Sequence, residues 1–475
     1  MDNKKTLTAV TVGVAVLWAL LLVGWHLYNP YGKQLTTHEP GADNRPEGTA
    51  RKADDVVIGE FFMKYDEPAP GGFDGVWNSF RGEDRSNIVR NSDAIVTGAD
   101  YPLLWSVPTG EGHAAPVIYK GRVYVLDYDE TLSSDALRCL SLETGQEIWK
   151  RWYRVRMKRN HGFSRTIPAV GDGYVITIGP EGHVMCCDPV SGDLKWTIDL
   201  KQMFSTEVPF WYTGQCPLVD DGMLIVAPAG QEVLMAGFDI ENGEMVWSTP
   251  NTVSFTMSHS SIMPMTLEGK KTYVYAGVGG VAGVSAEGSD KGALLWSATK
   301  WQPSVVAPSP LAISSKRVFL VAGYGTGGAL LEVSRNGSAW KADILEQYKA
   351  DKGLSAEQQT PLFYDGNIIS ILPKDAGGNR EKIVIYNPSD LHTPIWRSGN
   401  DEKFGLGPYI AINGKLFAFN ERGILYVYEI GRGSLSLLHK QEIITDGVDA
   451  WGPIAYADGR LLLRDSHNIV CLKID

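Results

Sequence analysis

Hydrophobic and polar positions divide the 475-residue chain into two unequal parts. From Leu7 to Tyr28 the sequence is apolar, and no Asp, Glu, Lys or Arg occurs between Lys5 and Lys33. As a helix this stretch rises about 33 Å, enough to cross a hydrocarbon core of about 30 Å. Trp25, His26 and Tyr28 crowd its far end, where amphipathic rings favour the membrane interface. The apolar run is longer than the roughly 7–15 residues of a cleaved signal peptide, and no small-residue cleavage site follows it. The pattern predicts an uncleaved transmembrane signal-anchor over 7–28. Residues 1–6, with Lys4 and Lys5, are then cytoplasmic and the rest lies outside. Residues 29–75, rich in Pro, Gly and charge with only short apolar patches, predict a tether.

From about residue 76 the pattern becomes short alternating runs, rich in β-branched residues and separated by Gly, Asp and Asn, which is a strand-and-hairpin signature. Two markers repeat through it. One ends in tryptophan after a Gly-containing turn: CLSLETGQEIW, CCDPVSGDLKW, GFDIENGEMVW and SDKGALLW, with degenerate copies SRNGSAW and SDLHTPIW. With DYPLLW upstream, these place Trp105, Trp149, Trp196, Trp247, Trp296, Trp340 and Trp396 at intervals of 44–56 residues. The other marker is a proline opening a strand, a polar turn and a second strand, at Pro116, Pro168, Pro217, Pro264, Pro310, Pro361, Pro408 and Pro453. Eight units of four strands predict an all-β fold over 76–475, an eight-bladed β-propeller of four-stranded antiparallel blades. The last unit lacks its final Trp strand, and Tyr101–Trp105 is a spare one, so N- and C-terminal strands are expected to close the ring together. Two stacked sandwiches would explain neither the period nor the spare strand. Each tryptophan is expected to dock between neighbouring blades.

Composition agrees with this reading. The 52 glycines and 14 tryptophans suit strands and turns, and the aromatic content excludes a disordered chain. A net charge of −11 without a basic run argues against a nucleic-acid partner.

The tryptophan-terminated pattern resembles the docking repeat of the PQQ-like propeller superfamily, which includes quinoprotein alcohol dehydrogenases and BamB-type outer-membrane assembly proteins. Trp77-Asn-Ser-Phe-Arg-Gly is similar to a motif that often precedes such propellers in bacterial anchored or secreted proteins. The resemblance implies eight blades and leaves function open, because the superfamily holds both enzymes and binding scaffolds. It also draws attention to Cys186-Cys187, since quinoprotein alcohol dehydrogenases carry a vicinal disulfide over their cofactor. Cys186 stands six residues before Gly192, as Cys139 does before Gly145, so the register assigns both cysteines as buried structural thiols.

Other motifs carry little chemistry. Gly323–Gly328 (G-Y-G-T-G-G) has no helix pattern after it and reads as a turn. No C-x-x-C-H, H-E-x-x-H or paired C-x-x-C occurs, so no metal ligands are predicted. The loops leading into the innermost strands offer a ligand-binding rim of Glu111, His113, His161, Arg165, Gln215, His259, Gln359, Asp449 and Trp451. No catalytic residue is assigned; Asp449 is the best carboxylate for a base and Glu111 for an ion ligand. No cofactor is predicted, and only the dehydrogenase alternative would require PQQ with calcium.

The expected function is that of a binding or scaffold module for protein partners in the cell envelope. It would be held by one helix in a bacterial cytoplasmic (inner) membrane with the propeller on the periplasmic side. The alternatives are a PQQ-dependent dehydrogenase and a polysaccharide-binding propeller, in which Phe210, Trp211 and Tyr212 would stack on sugars.

Overall fold

The computed structural model describes residues 2–28, 56–68, 71–91 and 93–475. The chain divides into two compact units, Met1–Val56 and Val57–Asp475. In the first, a helix spans Asp2–Leu27, and its segment Asn3–Leu27 is long and apolar enough to cross a membrane. The hydroxyls of Thr8 and Thr11 donate to the carbonyls of Lys4 and Leu7, which keeps them satisfied without solvent. Residues 29–55 of the expected tether lie outside the described residues.

In the second unit the described strands form eight sheets, each built on an antiparallel set of four strands that are consecutive in all but the last. We number the blades 1–8 by their first repeat strands: Val117–Tyr119, Ala169–Gly171, Leu218–Asp220, Met263–Leu267, Leu311–Ala312, Leu362–Tyr364, Tyr409–Ile412 and Ala455–Ala457. The loops before these strands converge on one cavity, so they are the innermost strands. Closure follows the spare-strand expectation. Leu103–Pro108 pairs antiparallel with Asn468–Lys473, placing Trp105 opposite Cys471 and completing blade 8.

Blades stack face to face, so a middle strand is buried on both sides. His183–Cys187 of blade 2 is buried throughout. Cys186 packs in the cluster shared with blade 3, and Cys187 in the cluster shared with blade 1. Successive strand residues point to opposite faces, which keeps these thiols apart. All five cysteines are free and buried.

The hairpins before Trp149, Trp196, Trp247 and Trp296 each seat the ring of the preceding blade. Trp105, Trp149, Trp196 and Trp247 lie on Gly145, Gly192, Gly243 and Gly292 of the next blade round. At Gly243, with φ 73°, a Cβ would come within 2.7 Å of the Trp196 ring, so both the backbone and the space demand glycine. The Trp196 indole N–H donates to the Ile240 carbonyl at 2.9 Å in the same turn. The later copies differ. Trp296 is buried and lies on Gly283 of its own sheet, as Trp247 does on Gly237, but it meets no glycine of the next blade among the described residues. Trp340 is half-buried under Arg335, and Trp396 meets Tyr428 edge-on. The physical reason lies in the neighbour. The blade 5 hairpin runs out along strands Gly327–Asn336 and Ala339–Tyr348, leaving Gly337 open, and the Pro388–Thr393 turn of blade 6 has no glycine.

Residues 57–91 add strands to this ring. Phe61–Lys64 extends the outer edge of blade 1 by pairing with Glu147–Arg154. Val76–Trp77 pairs with its innermost strand, and Ile88–Val89 runs parallel to the innermost strand of blade 7. Phe61–Lys64, within the stretch expected to be a tether, thus folds onto blade 1.

Trp196→Ala should lower stability by about 3–5 kcal/mol, the usual loss for a buried aromatic ring, whereas Trp340→Ala should cost well under half of that. Denaturant midpoints of the two variants check the contrast, and equal shifts would contradict the seating described.

Candidate functional site

The mouth loops of all eight blades line one cup of 410 Å³ on the propeller axis. Inter-blade hydrogen bonds hold its wall. The Ile167 N–H donates to Cys216 Sγ (3.3 Å), the Cys216 N–H to Ser261 Oγ (3.0 Å), the Ser261 N–H to Ser309 Oγ (3.0 Å) and the Ser309 N–H to Thr360 Oγ1 (2.8 Å). The ring from blade 2 to blade 6 is therefore stitched by the residue that enters each innermost strand. In blades 2, 3, 5 and 6 that residue directly precedes the repeat proline. In blade 4 the strand is longer, so Pro264 lies inside Met263–Leu267 and Ser261 takes the role.

The Trp77-Asn-Ser-Phe-Arg-Gly segment forms the floor. Val76 and Trp77 pair with Tyr119 and Ile118, near the strand end away from the mouth, and the chain then turns up into the channel. The Asn78 carbonyl accepts the Val170 N–H of blade 2 at 2.9 Å. Arg81 donates to the carbonyls of Thr360 (2.7 Å) and Pro361 (3.1 Å) in blade 6, and to those of Arg85 and Ser86 in its own loop. The Asn87 side chain donates to the Tyr409 carbonyl of blade 7 at 2.6 Å. Gly82, at φ 83°, has the Trp77 ring 2.5 Å from where a Cβ would stand. Phe80, Arg81 and Asn87 line the cup from below.

Of the rim expected from the sequence, His113, His161, Arg165, His259, Gln359 and Trp451 come together in the cup. Three do not join the lining. Glu111 is ion-paired with Arg159. Gln215 is fully buried and bridges the N–H and carbonyl of Ala227, a structural role. Asp449 stands nearby with φ 48°, and burial plus the Glu421 and Glu111 carboxylates raise its pKa. Of the aromatic run, Phe210 is 78% exposed, while the Tyr212 hydroxyl is bonded to the backbone of Lys158. Trp211 stacks on Tyr324 at 5.4 Å and 12° between planes.

Tyr324, Glu357 and Lys374 are cup residues that sequence reasoning missed. The G-Y-G-T-G-G stretch is a hairpin tip in blade 5, as its turn reading implied, and that tip carries Tyr324 over the mouth. Glu357 and Gln358 stand directly before Gln359 and the blade 6 strand, where the rim signal already lay.

Burial and the nearby Arg165 guanidinium push the pKa of His259 down to about 4. Burial, with Arg165 and Arg464, takes His113 to about 3. Both histidines are neutral at pH 7. The Arg165 guanidinium is committed to the carbonyls of Trp211 (2.6 Å), His161 (2.9 Å) and Asn160 (2.7 Å). A calcium-bound quinone would need clustered ligands and uncommitted cations. Among the described residues no group of three or more His, Cys, Asp or Glu is placed to hold a metal ion. The arginines of the cup face backbone carbonyls, and the Cys186 and Cys187 thiols lie in a blade strand rather than in the cup lining.

The family model of the outer membrane protein assembly factor BamB matches residues 134–358. That match spans just under half of the chain, and over that span the chain is similar to the family. No curated protein sequence matches the chain. Among solved structures, a europium-containing methanol dehydrogenase is similar at TM-score 0.56 and 12% identity, over 82% of this chain and 89% of that one. The quinohemoprotein alcohol dehydrogenase of Comamonas testosteroni is similar at TM-score 0.56 and 12% identity, over 84% and 80%. BamB from Moraxella catarrhalis aligns at TM-score 0.48 and 12% identity, over 78% and 100%. At these identities the likenesses show the fold alone, so the role of this propeller is argued from its cup.

The neutral histidines set a pH dependence. Their folded pKa values lie below the unfolded value near 6.5, so the unfolded chain binds more protons as pH falls below 6.5, and stability is lost in that direction. At pH 5.5 each should cost roughly 1 kcal/mol. Denaturation midpoints at pH 7.5 and 5.5 should differ less for a His113→Gln, His259→Gln double variant than for the parent chain. An unchanged difference would show that these rings are not held neutral.

Proposed function

We propose that this is a membrane-tethered, extracytoplasmic PQQ-like propeller that binds protein partners in the bacterial cell envelope. Asn3–Leu27 would serve as its single anchor in the inner membrane, with the propeller on the periplasmic side. The observation that carries the reading is the division of labour at the mouth. The arginines of the cup are committed to backbone carbonyls and the half-buried His113 and His259 are neutral, while Phe210 and Tyr324 remain 78% and 57% exposed. That is a surface for recognition, rich in large rigid side chains that lose little entropy on contact. The similarity over residues 134–358 to the outer membrane protein assembly factor BamB family supports the same role.

The test is photo-crosslinking in intact membranes from a probe placed at Phe210, with one at the exposed outer-turn residue Val190 as control. A discrete protein adduct at Phe210, absent at Val190 and lost on Tyr324→Ala, is the expected result. Adducts carrying only polysaccharide would transfer the assignment to glycan binding. Dye reduction by the purified chain with PQQ and calcium would replace it with a dehydrogenase.

A further inference from the structure

Two guanidiniums line the cup, and neither meets a carboxylate. Arg165 and Arg81 hydrogen-bond only to backbone carbonyls. The carboxylates whose fields reach them are Asp84, toward Arg81, and Glu111, toward Arg165. Asp84 is held by Ser86 and Glu111 by Arg159, and among the described residues neither forms an ion pair with a cup arginine. Burial lowers the pKa of both arginines only to about 10, so both are charged at neutral pH. Carbonyl dipoles fix a guanidinium in place without cancelling its unit charge.

The negative charge of the lining stands on the other side. Glu357 precedes the innermost strand of blade 6, across the ring from Arg165, which precedes that of blade 2. Burial, with the Asp375 and Glu421 carboxylates acting against Lys374, raises the Glu357 pKa toward the neutral acid. Among the described residues the lining thus sets Arg81, Arg165 and Lys374 against one carboxylate, and the charge on the Arg165 flank is unanswered. The net charge of −11 does not set this local field, because solvent screens exposed charges beyond about 8 Å.

Arg165 also keeps donors. Its three bonds use the Nε hydrogen and one hydrogen on each terminal nitrogen, so one further N–H remains on each. His259, neutral and in the field of Arg165, has an Nε2 without a partner among the described residues. Trp211 stacks on Tyr324, which is also in the field of Arg165, and Val305 and Ala307 make part of the wall apolar. An unpaired cation with spare donors, beside aromatic and apolar surface, suits a carboxylate on a short aliphatic stem.

We infer that the cup receives an acidic side chain, glutamate or aspartate, projecting from a protein partner, with Arg165 as the residue that meets its carboxylate and Trp211 and Tyr324 flanking its stem. This rests on the protein-binding reading above and specifies what the bound protein presents.

The full-length protein in detergent is titrated with capped, amidated pentapeptides of four alanines around a central glutamate, glutamine, norleucine or lysine. The glutamate peptide should bind about tenfold more tightly than the isosteric glutamine peptide and the lysine peptide. Arg165→Gln should abolish that preference and leave the affinity for the norleucine peptide unchanged. Glu357→Gln, which leaves the Arg165 loop untouched, should tighten the glutamate peptide and weaken the lysine peptide. Lys341→Gln, on the outermost strand of blade 5, should change neither. Equal binding of the glutamine peptide, equal loss of the glutamate and norleucine peptides in Arg165→Gln, or a weaker glutamate peptide in Glu357→Gln would each overturn the inference. A Phe210 protein adduct that still forms alongside any of these results would place the failure in the acidic-side-chain assignment and not in protein binding itself.

Discussion

The pairing of Leu103–Pro108 with Asn468–Lys473 is the constraint on which the rest depends. A row of eight sheets joined only in sequence would leave the open faces of blade 1 and blade 8 in water. Closing the row buries both against each other, in a cluster that joins Trp105 and Leu140 to Leu462 and Cys471. Because the closing strand comes from the other end of the chain, the ring shuts by hydrogen bonds in register as well as by apolar burial. Every blade then has two neighbours, and strands such as His183–Cys187 can be buried on both faces.

Closure creates a second problem at the axis. Eight innermost strands turn an edge of backbone N–H and carbonyl groups toward a narrow channel, and buried groups of that kind need partners. The Trp77–Val89 segment supplies them. It pairs as a strand with blades 1 and 7, gives a carbonyl to blade 2, and sends Arg81 to two carbonyls of blade 6. An arginine suits this place because its fork of donors serves several carbonyls at once, and burial lowers its pKa only to about 10, so it stays charged. The channel becomes a cup because its far end is filled by the chain's own backbone partner.

The ring was legible in the sequence because it is periodic. Glycine turns, tryptophans and prolines at a fixed spacing report contacts that recur in each blade, and the spare Trp105 strand reported closure. The cup was only half legible. Its position followed from the loops before the repeat prolines, and six of the nine rim residues meet there. Gln215 was misleading because a polar side chain before a strand can face the mouth or clamp backbone, and it clamps Ala227. Tyr324 and Lys374 were invisible because they stand on hairpins between the second and third strands of their blades, outside the repeated position. The tryptophan seats were overextended to Trp296, Trp340 and Trp396: Gly337 of blade 5 stays open, the blade 6 turn has no glycine, and Gly433 of blade 7 meets Ile395 instead of the indole.

Function in this fold is therefore carried by what breaks the repeat. A symmetric propeller would present the same residue eight times around its axis and a field that largely cancels there. Here blades 1, 2 and 4 contribute His113, His161 and His259, blade 5 contributes Val305 and Ala307, and blade 6 contributes Glu357 and Lys374. The scaffold is indifferent to these choices, because the wall is stitched by backbone N–H groups and small side chains such as Ser261, Ser309 and Thr360. Stability and recognition are thus assigned to different atoms of the same loops. The lining can change its charge while the ring beneath keeps its hydrogen bonds, and that separation is what allows one propeller architecture to serve proteins with different tasks.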